Sequence, residues 1–153
     1  MKPLEHLVPP PLVALIVGLG MWGAARPSAP LDIPLAPRIA LALLVGGGGL
    51  ALVVTGFLTF RRLGANIDPL HIDRGEVLVT SGVYRFTRNP MYIGMTLVLC
   101  GYAVWLARPI SALGPVLFVV YSTWFQILPE ERAMRAKFGA AFDAYARATR
   151  RWI

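Results

Sequence analysis

The sequence predicts an all-α integral membrane protein: four transmembrane helices, then a C-terminal amphipathic helix. Three observations carry this. First, the 153 residues are 56% hydrophobic and only 15% charged, where a soluble domain carries about 25% charge. Second, four apolar runs, Leu7–Ala25, Ile39–Phe60, Met91–Ala107 and Ile110–Leu128, have no charge in their interiors. Each is long enough to cross about 30 Å of hydrocarbon as a helix, and an open sheet or loop would leave its backbone unsatisfied in lipid. Third, the cations are lopsided. Lys2, Arg61, Arg62, Arg74, Arg85, Arg88, Arg132, Arg135, Lys137, Arg147, Arg150 and Arg151 fall on one side of a four-span arrangement, and only Arg26, Arg38 and Arg108 on the other. The positive-inside rule makes the first side cytoplasmic, with both termini there, in an inner or plasma membrane.

The first run opens on Pro9-Pro10-Pro11, and proline suits a helix's first turn. A signal peptide ending at Ala24-Ala25 is the competing reading of this run. Ala25 to Arg38 is a proline-rich, ordered connection on the far side. Gly46-Gly47-Gly48-Gly49 in the second run marks a close approach of two helices, with a hinge or a cofactor approach as the alternatives. The loop from Arg61 to Asn89 is the longest polar segment, punctuated by Asp68-Pro69 and Ser81-Gly82. A polar loop of that length in a compact protein is usually functional.

Arg108-Pro109 is the whole connection between the third and fourth runs, so those helices are antiparallel neighbours. The start of one, Arg88–Gly94, is thereby brought beside the end of the other, Gln126–Glu131. Beyond Leu128, Met134, Phe138, Ala141, Phe142 and Tyr145 fall at helical spacing among cations, as in a helix lying on a membrane surface or over a bundle. Gly139 is expected to mark a bend or a close contact. The chain reads as one domain, residues 1–153. Cys100 is the single cysteine, which excludes an internal disulfide and a cysteine-based metal site.

Chemistry concentrates in two clusters. In Arg88-Asn89-Pro90-Met91-Tyr92, Pro90 suits a helix start with Asn89 as N-cap. Arg88 presents a fork of donors suited to a carboxylate or phosphate. Interfacial anchoring is the plainer reading of Arg88 and Tyr92. Glu130 and Glu131 gain little from anionic lipid. They can hold ribose hydroxyls, neutralise a cation or accept a proton, and a helix N-terminus favours one of them without further function. Together these groups suit a ligand with a carboxylate, a positive centre, a ribose and a flat base, and S-adenosylmethionine has all four. No G-x-G-x-x-G, P-loop, H-E-x-x-H or G-x-S-x-G is present, so neither a Rossmann cofactor nor a metal site is expected. The net charge of +7 flanks spans without zinc-finger or RNA-binding signatures, which argues against nucleic acid. Glu131 and Arg88 are the candidate catalytic residues, with His71 a second possible proton acceptor.

Leu78-Val79-Thr80-Ser81-Gly82-Val83-Tyr84, then Arg88-Asn89-Pro90-Met91-Tyr92-Ile93-Gly94, then Glu130-Glu131 with Phe138-Gly139 and Tyr145 resemble the isoprenylcysteine carboxyl methyltransferase and phospholipid methyltransferase superfamily. The resemblance covers about residues 68–152. It implies a membrane enzyme that transfers methyl from S-adenosylmethionine, leaving S-adenosylhomocysteine, to a lipophilic or amphiphilic acceptor at the cytoplasmic face. It also implies a cytoplasmic cofactor-binding loop. By matching position, Glu76, Val77, Leu78, Val79, Tyr84, Asn89, Pro90, Met91, Tyr92 and Glu130 would line the cofactor. Gln126 stands where isoprenylcysteine enzymes have a substrate-side arginine, and Asn89 where they have histidine. Gln126 is thus the candidate substrate contact, and a prenylcysteine carboxylate is the less favoured acceptor. The alternatives are a membrane reductase with a nicotinamide cofactor and a small membrane protein without enzymatic activity.

Overall fold

The structure is a computed structural model that describes residues 8–63 and 77–153. Glu76, His71 and the Asp68-Pro69 turn lie outside the described residues. Among the described residues six α-helices are found: α1 (Pro10–Ala25), α2 (Leu35–Arg62), α3 (Pro90–Leu106), α4 (Leu113–Ser122), α5 (Leu128–Phe138) and α6 (Ala140–Ala148). A single isolated bridge, Thr87 to Arg150, is the β structure among the described residues.

α1 starts where its prolines dictate, with proline in its first turn and no side-chain cap. α2 has 28 residues, with Arg61 and Arg62 in its last turn, where cations complement the helix dipole. At about 1.5 Å per residue it is roughly 42 Å long. The short turn Pro109–Ala112, α4, a π-helical turn at Thr123–Ile127 and α5 run together as one helix, Pro109–Phe138. This helix and α2 are long and apolar enough to cross a membrane; α1 and α3 are shorter apolar helices.

The continuity past Leu128 departs from the sequence reading, which ended the span there. Pro129 has no N–H, and its ring would clash with the carbonyl of Phe125 in a regular helix. The π turn immediately before it widens the backbone and absorbs that conflict. Gly139, at φ 50°, then ends α5 and redirects the chain into α6, the expected bend.

The α3–α4 hairpin forms over the expected short connection. Ala107 takes a left-handed conformation and its N–H caps α3 on the carbonyls of Ala103 and Val104, each at 3.1 Å. The glycines make the α2–α3 contact. A Cβ on Gly94 would lie 2.6 Å from the Gly49 carbonyl oxygen, and one on Gly101 would lie 2.7 Å from the Ala42 carbonyl. Only Gly49 and Gly56 of α2 are buried, so this helix is held largely by backbone approach to α3. Val13 and Met21 of α1 join Tyr92, Leu99, Phe118 and Ile127 in the core. Leu43, Leu44, Leu50, Leu117 and Trp124 point outward. Such an apolar exterior suits lipid rather than water.

Candidate functional site

The site lies at one end of the α3–α4 hairpin. A 3₁₀ turn, Gly82–Arg85, begins at Gly82 with φ 61° and puts Tyr84 inward. Tyr84 is 5% exposed and meets the Phe60 ring edge-on, centroids 5.1 Å apart. Its carbonyl accepts a 2.6 Å hydrogen bond from the Tyr145 hydroxyl. Burial pushes the Tyr145 phenol up to about 12, so it is a neutral donor at physiological pH. Burial, then the negative charges Tyr145 and Glu130 can carry, pushes the Tyr84 phenol upward too. Among the described residues the buried Tyr84 hydroxyl has no hydrogen-bond partner.

One pocket gathers these groups. Leu78, Val79, Tyr84, Asn89, Pro90, Met91, Tyr92 and Glu130 line it, as do Arg88 and Glu131. Tyr92 donates a 2.6 Å hydrogen bond to Oε1 of Glu130. Val77 is exposed and outside this lining. Gln126 is also outside it: its side chain is buried at the α1 end, where Nε2 donates to the Val8 carbonyl at 2.7 Å. Phe60, Met134, Phe142 and Tyr145 also line the pocket; Tyr145 belongs to the residues that carry the family resemblance, and none of the four is among the expected site residues. Three of these four belong to the helical stripe beyond Leu128, a face expected on the membrane surface or over the bundle, so the signal was present without naming a pocket.

Arg88 and Glu131 are bonded to each other and to the returning chain. Arg88 donates from Nη2 to Glu131 Oε1 at 2.8 Å and from Nε to the same oxygen at 3.2 Å. Its Nη1 donates to the carbonyls of Ala146, at 2.9 Å, and Thr149. Arg151 grips the same carboxylate with Nε on Oε1 at 2.9 Å and Nη2 on Oε2 at 2.7 Å. Such charge-assisted, two-pronged bonds fix geometry as well as energy.

Asn89 corrects the capping expectation. No side-chain cap bond forms on α3. Instead Nδ2 donates to the Arg151 carbonyl at 2.9 Å, while Thr87 Oγ1 donates to that carbonyl at 3.2 Å and accepts from the Asn89 N–H. The Arg88 N–H donates to the Arg150 carbonyl at 2.9 Å. Residues 149–151 thus form a strap across the start of α3. A proline at N1 leaves one fewer N–H to cap, which frees the asparagine for the strap.

The phospholipid methyltransferase family profile matches residues 37–141. An uncharacterized protein of Haemophilus influenzae is 33% identical over 63 residues, which are 41% of this chain and 100% of that protein. Protein-S-isoprenylcysteine O-methyltransferase A of Arabidopsis thaliana is 29% identical over 123 residues, 75% of this chain and 62% of that protein. A probable protein-S-isoprenylcysteine O-methyltransferase of Oryza sativa subsp. indica is 30% identical over 106 residues, 64% and 55% of the two chains. The chain therefore spans less than two thirds of the length of these plant relatives. No solved structure matches it. The profile match takes in α2, α3, the α3–α4 hairpin and α5, and so the pocket's main walls. On that coverage, the chain belongs to the phospholipid methyltransferase family.

Proposed function

We propose that this chain is a membrane methyltransferase that binds S-adenosylmethionine in the pocket of Tyr84, Tyr92 and Glu130 and methylates a lipophilic or amphiphilic acceptor. The observation that carries the reading is the convergence of three separated motifs, around Val79, Asn89 and Glu130, on one pocket. The family match and the names of the plant relatives support methyl transfer in particular.

The residues present fit the donor. The Tyr84 hydroxyl, buried without a partner among the described residues, is a polar atom that a ligand can satisfy. Tyr92 engages one oxygen of Glu130, which orients the other for hydroxyl donors such as those of a ribose. Leu78, Val79, Pro90, Met91 and Phe142 supply apolar surface for a base. S-adenosylmethionine, when bound, supplies an electrophilic methyl group.

The protein's part is alignment and exclusion of water. Holding two reactants in line can contribute several kcal/mol of barrier reduction, on the order of 7–11 in the best intramolecular cases. Arg88 and Glu131 serve this as a pair: their mutual bonds and the strap hold the start of α3 against α5 and α6. We assign them positioning roles, in place of the direct catalytic roles their residue types invited. Gln126, in the π turn, is assigned to the contact with Val8 just before α1, away from the donor.

In this reading α1 and α3 also cross the membrane, beside α2 and the long helix, to make four spans. The pocket faces the cytoplasm because the cations cluster at its end. The acceptor enters from the bilayer between helices.

Calorimetry with S-adenosylhomocysteine, beside NADPH, tests the proposal. S-adenosylhomocysteine alone should bind, and Glu130→Ala should weaken it by about 1.5–3 kcal/mol, the range for a hydrogen bond to a charged group. Binding of NADPH alone would favour a reductase, and binding of neither would remove the cofactor assignment.

A further inference from the structure

The opposite end of the bundle holds a second cavity, of about 330 Å³. It lies where the start of α2, the end of α3 and the Arg108-Pro109 connection meet. Leu31, Pro37, Leu41, Val104, Ala107 and Ala112 make its wall almost wholly apolar. Two cations, Arg38 and Arg108, belong to the same lining. From Tyr92 to Ala107, α3 rises roughly 22 Å at about 1.5 Å per residue, so this cavity is remote from the methyl-transfer pocket.

The arginines are under-used. The Nε of Arg38 is buried and has no hydrogen-bond partner among the described residues. The guanidinium lies 5.5 Å from the centroid of the Trp105 ring. Arg108 donates from Nη1 to the Ser28 carbonyl. The neighbouring Asp32 is exposed and forms no ion pair with either arginine among the described residues. A buried N–H without an acceptor is costly, so an acceptor is called for. Guanidinium forks match phosphate oxygens. The volume falls within the range of about 300–1,000 Å³ typical of ligand pockets.

We propose that this cavity is a structural lipid site that seats one acyl chain of an anionic glycerophospholipid, with its phosphate on Arg38 and Arg108. The apolar wall takes the chain, and the two cations at its edge take the head group. The helix ends around it place the arginines at the depth of lipid phosphates. The occupant is not a methyl acceptor, because it is held at the wrong end of the bundle.

Native mass spectrometry of delipidated full-length protein in detergent tests this. Phosphatidylglycerol, phosphatidylcholine and tail-free glycerol phosphate are added back separately. Phosphatidylglycerol should bind most tightly and glycerol phosphate should not be retained. The double variant Arg38→Gln/Arg108→Gln should lose affinity for phosphatidylglycerol about ten-fold or more. Ala112→Phe, which fills the trough and leaves both cations in place, should lower retention as well. It also stands as the independent test if the arginine variant melts early. Undiminished phosphatidylglycerol binding in either folded variant would overturn the site. Equal retention of phosphatidylcholine would overturn its anionic character, and retention of glycerol phosphate would make it a free-phosphate site instead.

Discussion

Removing the Glu131 carboxylate separates a positioning role from a chemical one. The Glu131 side chain is 12% exposed and Arg88 11%, while Arg151 is 37% exposed. Glu131→Ala strips two bonds from Arg88 and two from Arg151. Breaking a buried ion pair costs about 3–5 kcal/mol, because a charge is left uncompensated. Arg88 keeps the Ala146 and Thr149 carbonyls, which places the cost near the lower end, about 3 kcal/mol. Arg151 can turn to solvent, so its share is the roughly 0–1 kcal/mol of an exposed pair. Arg151→Ala should therefore cost about 1 kcal/mol or less. For a chain of this size about 3 kcal/mol lowers Tm by roughly 6–12 °C. Cys100, half-buried in α3, is a built-in reporter: a thiol-reactive dye in detergent reads its exposure on heating. Equal melting shifts for Glu131→Ala and Arg151→Ala would refute the reasoning. So would a Glu131→Ala protein that melts like its parent but no longer transfers methyl, which would return Glu131 to the chemistry.

Three further outcomes are expected. Gly94→Ala places a Cβ 2.6 Å from the Gly49 carbonyl and should cost about 1–3 kcal/mol by overpacking. Gly47→Ala, with nothing within 4 Å, should instead stabilise α2 by up to about 1 kcal/mol; chemical denaturation of both variants reads the contrast. Tyr145 has a folded pKa raised to about 12 against about 10 unfolded. Its contribution is therefore full below pH 10 and lost as pH rises towards 12, and Tyr145→Phe should flatten that alkaline part of a stability profile. Finally, Ser81→Cys should label only from the cytoplasmic side and Ser28→Cys only from the other, and external labelling at position 81 would reverse the assigned orientation.

The hairpin was legible because two residues cannot join distant helices: Arg108-Pro109 forces α3 and α4 together whatever their side chains. The glycine contact was legible in kind, since small residues in apolar helices mark close approach. The partner helix was not, and Gly94 and Gly101 were found only through the structure. Nothing in the composition of Thr149 to Arg151 announces a strap, because its bonds run through main-chain carbonyls that every residue owns. For the same reason Asn89 passed as a cap. Phe142 and Tyr145 gave a clear helical stripe, but periodicity tells that a face is covered, not by what. The helix continues past Leu128, where the apolar run stops, because the end of an apolar stretch marks the end of lipid contact and not of the helix; the π turn before Pro129 accommodates its ring.

The strap has a consequence for the order in which this protein is made. Its bonds join Arg88 and Asn89 to residues about sixty positions later. Closing so long a loop carries an entropy cost that local helix formation does not, and contacts of this separation form late. The α3–α4 hairpin needs only a two-residue connection and, in the four-span reading proposed above, can enter the bilayer with its helices already paired. Insertion and the maturation of the pocket are then distinct events. A substitution in the strap is expected to yield a protein that reaches the membrane, keeps its helices and has no working site. Variants of this kind are invisible to any screen that scores abundance or helical content alone.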